Sequence, residues 1–266
     1  MKRREFLAAA TLVPLASVLQ AAPTPPAAAS AGLSLPGAIN RAGRQRMLSQ
    51  RSAKAWLMLV DGVLPERAKS ILDHSVRLFE QQLSELRNLQ PNDEVRSGYL
   101  LLESEWGRYR PLMADIRADA KLVWGGSEAV LGAAQKLTVA YERASSSPAG
   151  RLVNLSGRQR MLSQRMAKAY LFRQVGVNPE PAREMLDGAM KEFAKALDEL
   201  KTAPQNTAQI KSELALVEQQ WFFFQNALGL RAAGDLKKAA ADVATTSERI
   251  LEQMDMVVSL YEKVAG

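Results

Sequence analysis

The chain carries one unit twice, and that duplication limits what it can fold into more than any other feature. Shifted by 114 residues, positions 40–55 overlay positions 154–169 with identity at thirteen of sixteen, sharing the string N-x-x-G-R-Q-R-M-L-S-Q-R-x-A-K-A. Weaker matches follow in register, Leu72 with Leu186, Phe79 with Phe193, Leu83 with Leu197 and Leu86 with Leu200. After small insertions they resume at Trp106 and Trp221, and again from Val130 and Ile250 to Tyr141 and Tyr261. A unit present twice calls for two similar structures, here 34–145 and 147–266, each with a hydrophobic face to bury. The run Ser145-Ser146-Ser147-Pro148 between them suits a helix stop and restart, because proline is favourable in a first helical turn.

Both copies read as helix. Leu72, Val76, Phe79, Leu83 and Leu86 alternate spacings of four and three, as do Val130, Ala134, Leu137 and Tyr141, and Ile250, Met254, Val257 and Tyr261. That spacing lines one face of a helix, and no segment sustains the period-two alternation of a strand. Glycine- and proline-containing breaks at 62–65, 90–92 and 125–126 in the first copy, and at 176–181, 203–206 and 234–235 in the second, cut each into four helical stretches. The expected fold is all-α: two tandem antiparallel four-helix bundles of up-down topology.

Composition removes several chemistries. The chain has no cysteine, which excludes disulfides, zinc–thiolate sites, iron–sulfur clusters and a thiol nucleophile. Its single histidine, His74, leaves almost no material for a Ser-His-Asp triad or a multi-histidine metal site. His74 beside Asp73 could in principle ligate haem, but its counterpart is Gly188 and no Glu-x-x-His motif exists. No nucleophile–base pair or phosphate-binding glycine loop is visible, so no enzyme, cofactor or metal is expected. The Glu103/Glu105 and Asp198/Glu199 pairs read as solvated faces, and Trp221-Phe222-Phe223-Phe224 as core plus an exposed patch.

The net charge of +7 is concentrated. Residues 31–60 carry Arg41, Arg44, Arg46, Arg51 and Lys54 with no acid, and residues 143–179 carry seven cations with no acid; the remainder is net acidic. Nucleic-acid binding would call for a broader basic surface. At the N-terminus, Lys2-Arg3-Arg4 precedes a short apolar stretch from Leu7 to Leu19, then Ala21, Ala22 and a Pro/Ala-rich tether. This is the order of an export signal, with too short a core to span a bilayer stably. The arginine pair followed by Phe6-Leu7 is similar to a twin-arginine signal, so residues 1–30 are expected to direct export, with cleavage near Ala21 or Ala22 and a soluble periplasmic product.

The repeated string keeps polar residues that a bundle core does not need. Placed at about 100° per residue, Arg46 falls among Ala42, Gly43, Ser49, Gln50 and Ala53, and Arg160 among Ser156, Gly157, Ser163, Gln164 and Ala167. Both arginines thus belong on a packing face, beside small residues that let helices approach closely. Arg44, Arg51, Arg158 and Arg165 point the other way, toward solvent or a partner. A guanidinium on a packing face stays charged, and losing its partner costs ~3–5 kcal/mol. Its own helix offers no carboxylate, leaving an acid from another helix, backbone carbonyls or a bound anion.

The string resembles the N-terminal sensor domain of type IV pili methyl-accepting chemotaxis transducers and, more distantly, the periplasmic segment of nitrate/nitrite sensor kinases. In those kinases an arginine of the matching helix binds the anion between two chains, and by position it corresponds to Arg46 and Arg160. The resemblance implies an anion site from Arg46, Arg160, Gly43, Gly157, Ser49, Ser163, Gln50 and Gln164, with nitrate or nitrite as the ligand. It further implies an intramolecular pseudo-dimer in which Arg46 and Arg160 face each other around one anion. The competing arrangement is two bundles end to end, each pairing with a second chain. Functionally, the expectation is a periplasmic sensory module that binds a small oxyanion and signals through a separate membrane sensor or transporter component, without nucleic acid and without a stable transmembrane anchor. The alternative is a non-enzymatic structural protein that docks a periplasmic partner through its basic helices.

Overall fold

The computed structural model describes residues 33–146, 148–229 and 235–265, and among these described residues are eight helices in two sets of four. In order they are α1 (Leu35–Val60), α2 (Pro65–Arg87), α3 (Asp93–Ala114), α4 (Ala120–Ser145), α5 (Pro148–Gln174), α6 (Pro179–Lys201), α7 (Ala208–Gly229) and α8 (Leu236–Ala265). The export segment and its Ala21/Ala22 cleavage site lie outside the described residues.

Local chemistry explains where the helices begin. Ser34 caps α1 by accepting from the Gly37 N–H at 3.2 Å, and Asn92 caps α3 by accepting from the Val95 N–H at 2.9 Å. The turns from α1 to α2 and from α5 to α6 repeat a geometry: Gly62 and Gly176 have φ of 68° and 76°, and Leu64 and Asn178 have φ of 47° and 48° just before the first-turn prolines. Glycine reaches that left-handed backbone without strain. Between the copies, α4 ends at Ser145 and α5 begins at Pro148, where the serine–proline run suggested.

The expected break at Gly125–Gly126 is not there. Both glycines lie inside α4, and the turn instead spans 115–119, where Asp119 caps α4 by accepting from the Lys121 N–H. Gly126 serves packing: a Cβ on it would lie 2.6 Å from Cδ2 of the buried Tyr109, so its absence lets α3 and α4 close together. In the second copy Asp235 precedes α8, and Gly234 lies outside the described residues.

Within each copy the second and third helices meet through matching aromatics. Phe79 stacks on Trp106 with centroids 3.7 Å apart and Trp106 meets Tyr109 edge-on; Phe193 stacks on Trp221 at 4.4 Å and Trp221 meets Phe224 in the same way. Helix α1 packs on α2 and α4, and α5 packs on α6 and α8, which closes two four-helix bundles. The bundles do not stand end to end. Helices α1 and α5 pack on each other as extensively as on their own bundles, and the stretch from Leu33 onward clusters as one unit. Arg46 reaches Asn154 while Lys54 reaches Gln164, so the contacts advance together along both helices, and α1 and α5 run parallel. Two copies of one bundle are thus joined about a pseudo-two-fold axis, with the repeated string at the joint.

Candidate functional site

A helix covered by α2, α4 and α5 has little exposed face left, so the polar string is interior. Gln45, Arg46, Ser49, Gln50 and Lys54 in α1, and Gln159, Arg160, Ser163, Gln164 and Lys168 in α5, are each 0% exposed. Buried polar groups need partners, and nearly every one of these finds it twice, once per copy. Gln50 Nε2 donates to the Ser127 carbonyl at 3.0 Å, and Gln164 Nε2 to the Ser247 carbonyl at 2.9 Å. Ser49 and Ser163 return their hydroxyls to the carbonyls of Arg46 and Arg160, both at 2.8 Å.

The lysines cross the joint. Lys54 of the first copy donates to Glu248 of the second at 2.6 Å, and Lys168 of the second donates to Glu128 of the first at 2.7 Å. Arg51 forks onto the same Glu248, and Arg165 donates through one Nη to the same Glu128. Burial alone would raise the Glu248 carboxyl, yet Lys54 and Arg51 hold it down, to about 2. Burial in turn lowers Lys54 and Lys168 to about 8, against the pull of their glutamates.

Arg46 and Arg160 are brought together. A Cβ built on Gly157 would lie 3.3 Å from Arg160 Nη2 and 3.7 Å from Arg46 Nη2, so the two nitrogens are at most about 7 Å apart, the sum of the two. Gly43 gives the same latitude at the other side, where a Cβ would lie 3.0 Å from Arg46 Nη2. Each arginine also crosses the joint: Arg46 donates to the Asn154 carbonyl at 3.3 Å, and Arg160 to Oδ1 of Asn40 at 2.8 Å.

Their remaining partners differ. Arg160 donates to the Asp255 carboxylate at 2.5 Å, whereas Arg46 donates to the neutral amide oxygen of Gln135 at 2.6 Å. Burial first, then the Arg158 and Arg160 guanidiniums, press Arg46 down to about 9, with Glu142 and Glu192 pulling the other way. It is still charged at neutral pH. Burial also lowers Arg160, but Asp255 opposes the shift directly. Beside Arg46 lies a cleft of about 150 Å³ lined also by Gln135, Glu142, Arg151, Asn154 and Arg158.

The four arginines expected to point toward solvent or a partner are partly buried, and each meets a carboxylate of the chain. Arg44 pairs with Asp255 at 2.9 Å, Arg51 with Glu248 at 2.6 Å and Arg165 with Glu128 at 2.6 Å, while Arg158 pairs with Glu192 and donates to Gln135. The helical wheel assigned one buried face; inside a pseudo-dimer α1 and α5 are covered on several sides, and the opposite face meets the other copy. Sequence reasoning missed Gln135, Asp255, Glu128 and Glu248, which sit on helices otherwise read only for apolar spacing. Their equivalence was visible, however, since Gln135 and Asp255 share the 120-residue offset of Val130 and Ile250.

His74 is exposed, and among the described residues no group of three or more His, Asp or Glu is placed to hold a metal ion. No helix there is long and apolar enough to cross a membrane. Trp221 and Phe224 are core, and Phe222 and Phe223 are exposed. No curated protein and no solved structure matches this chain. A protein-family description does match, twice and in tandem, over residues 33–140 and 141–248. The chain belongs to the family of the type IV pili methyl-accepting chemotaxis transducer N-terminal domain, PilJ, and carries two copies of it.

Proposed function

We propose that this protein is a periplasmic sensory module that binds a small oxyanion at the α1–α5 joint, performs no catalysis, and passes its state to a separate membrane partner. Family membership supports the sensory role, and the arginine-led apolar N-terminus supports export. The observation that carries the ligand class is Arg46: a guanidinium with no solvent exposure and no carboxylate among its hydrogen-bond partners. A charged group so placed is stabilised by an anion that its fold does not supply. Nitrate and nitrite are the first candidates, through the resemblance to nitrate/nitrite sensor kinases.

A thermal-shift series of sodium nitrate, nitrite, chloride and sulfate tests the reading, because a ligand at about 100 times its Kd adds about 2.7 kcal/mol to the folded state. Nitrate or nitrite is expected to raise Tm above chloride at equal ionic strength. Arg46→Ala is expected to remove that rise, and Arg183→Ala, an exposed residue paired with Glu180, to leave it intact. Arg44 is no neutral control, since it shares Asp255 with Arg160. Anion shifts identical for all salts would sink the binding site. For export, residues 1–30 fused to a folded reporter should carry it to the periplasm, and Arg3→Lys/Arg4→Lys should retain it inside.

One observation favours a second reading, a purely structural pseudo-dimer. The reciprocal ties of Arg51 and Lys54 to Glu248, and of Arg165 and Lys168 to Glu128, account for much of the retained string without any ligand. Absence of any anion-specific shift would favour it.

A further inference from the structure

Helix α7 carries two seams where its counterpart α3 carries one. The inner seam, Ile210, Leu214, Val217, Trp221, Phe224 and Leu228, is buried in the second bundle. On the outer side Leu216, Gln219, Phe223 and Asn226 follow spacings of three and four, and all are exposed, with the exposed Phe222 beside them. The register that matches Trp106 with Trp221 puts Gly107 and Arg108 where Phe222 and Phe223 stand, and Pro111 where Asn226 stands. The outer seam therefore belongs to one copy and is no requirement of the bundle. Helix α7 packs on α8 and more lightly on α6, which leaves this face uncovered among the described residues. Large apolar side chains grouped on one exposed face mark an interaction surface.

We infer that this face is covered by the same face of a second copy of the chain, with the two α7 helices antiparallel. The pairing stands whether or not the α1–α5 joint binds an anion. Three observations select that occupant. From Gln219 to Gly229 there is no charged residue, whereas the corresponding stretch of α3 has Glu105, Arg108 and Arg110, so two copies of α7 meet without like charges opposing. The charged residue beside the rings is Glu218, an acid paired with Lys201 at 2.6 Å, whereas an anionic lipid surface calls for cations around its aromatic anchors. Finally, Glu218, Gln219, Phe222 and Phe223 line a hollow of about 320 Å³ between successive turns. A cavity of ~150 Å³ holds benzene, so this one has room for a phenyl ring. Ring and hollow lie on one patch, which is the self-complementary arrangement that closes about a two-fold axis. Antiparallel helices then bring Phe223 of each chain over the 218–219 turn of the other. At 61% and 54% exposure the two rings offer roughly 200 Å² per chain, about a quarter of the ~800 Å² that each partner gives a standard interface, so the dimer is of micromolar strength.

Sedimentation velocity of the full chain from low to high micromolar concentration tests the pairing, and the wild type is expected to pass from monomer to dimer across that range. Phe222→Gly/Phe223→Arg installs the pair that the first copy carries at the same place, and should weaken the dimer at least about tenfold. Phe222→Gln/Phe223→Gln keeps the face uncharged and the helix formers in place, and should weaken it likewise with wild-type helix content by circular dichroism. Because the chain has no cysteine, single cysteines report the orientation. Chains with Leu216→Cys mixed with chains with Asn226→Cys should crosslink more than either alone, and crosslinking confined to like chains would refute the antiparallel arrangement. A wild type that stays monomeric at high micromolar concentration, or a dimer that survives both double variants, would overturn the pairing. So would a monomer that floats with phosphatidylglycerol vesicles and loses that binding in the double variants, which would make the face a lipid contact instead.

Discussion

Replacing Glu248 by Gln tests whether the two copies are held together by the charges they exchange. Glu248 is on α8, its side chain is 5% exposed, and it receives Lys54 at 2.6 Å and Arg51 at 2.6 Å from α1 of the other copy. The substitution keeps the shape and removes the charge, leaving the Lys54 ammonium at 0% exposure with only Gln164 and Ser247 for company. Breaking a buried pair in this way costs about 3–5 kcal/mol. Lysine has an escape, since it can shed its proton; from its value of about 8 in the fold that costs about 1.4 kcal/mol at pH 7, which places the loss toward the lower end of that range. Urea unfolding followed by circular dichroism should show a lower midpoint at unchanged slope. Tm should fall by roughly 6–20 °C at about 2–4 °C per kcal/mol for a domain of this size. Glu128→Gln should cost less, because Glu128 is 26% exposed and Lys168 keeps the Trp124 ring at 4.3 Å. A double-mutant cycle of Lys54→Met with Glu248→Gln isolates the pair and should give a coupling above about 0.5 kcal/mol. A loss below about 1 kcal/mol in Glu248→Gln, or strict additivity in the cycle, would refute the reasoning.

Two neighbouring glycines should respond in opposite directions. Gly126→Ala drives a Cβ to 2.6 Å from the buried Tyr109 ring and is expected to destabilise by about 1–3 kcal/mol, while Gly125→Ala meets nothing within 4 Å and should stabilise helix α4 by about 0.5–1 kcal/mol; thermal melts of both decide. Stability should also fall on the acid side as Glu248 takes up a proton. Its carboxyl is held at about 2 in the folded chain against 4.5 ordinarily, so its contribution is full above pH 4.5 and is lost as pH falls toward 2, up to about 3 kcal/mol. On the alkaline side the sign reverses in origin: Lys54 and Lys168 sit at about 8 in the fold, the unfolded chain binds more protons between about pH 8 and 10.5, and these two groups should make stability rise across that window. Midpoints of urea unfolding measured from pH 3 to 10 check both arms.

The sequence by itself determined the all-helical class, the duplication, the position of the joint between copies and the burial of Arg46 and Arg160. These follow from local causes: four-three spacing, capping residues and small neighbours act within one or two turns of helix, and a duplicated string reports a duplicated environment. Gly125 and Gly126 were misread because a glycine that opens a turn and a glycine that admits a facing tyrosine look alike until the facing helix is placed. The internal carboxylates of Arg44, Arg51, Arg158 and Arg165 were missed for a related reason. A helical wheel divides a helix into a core side and a water side, and α1 and α5 have neighbours on both. Only the tertiary structure could decide which carboxylate each cation meets, because Glu248 lies 194 residues from Lys54 in the chain and arrives there through the pseudo-two-fold packing of whole bundles. The same packing decides that Arg160 meets the Asp255 carboxylate while Arg46 meets the neutral amide of Gln135.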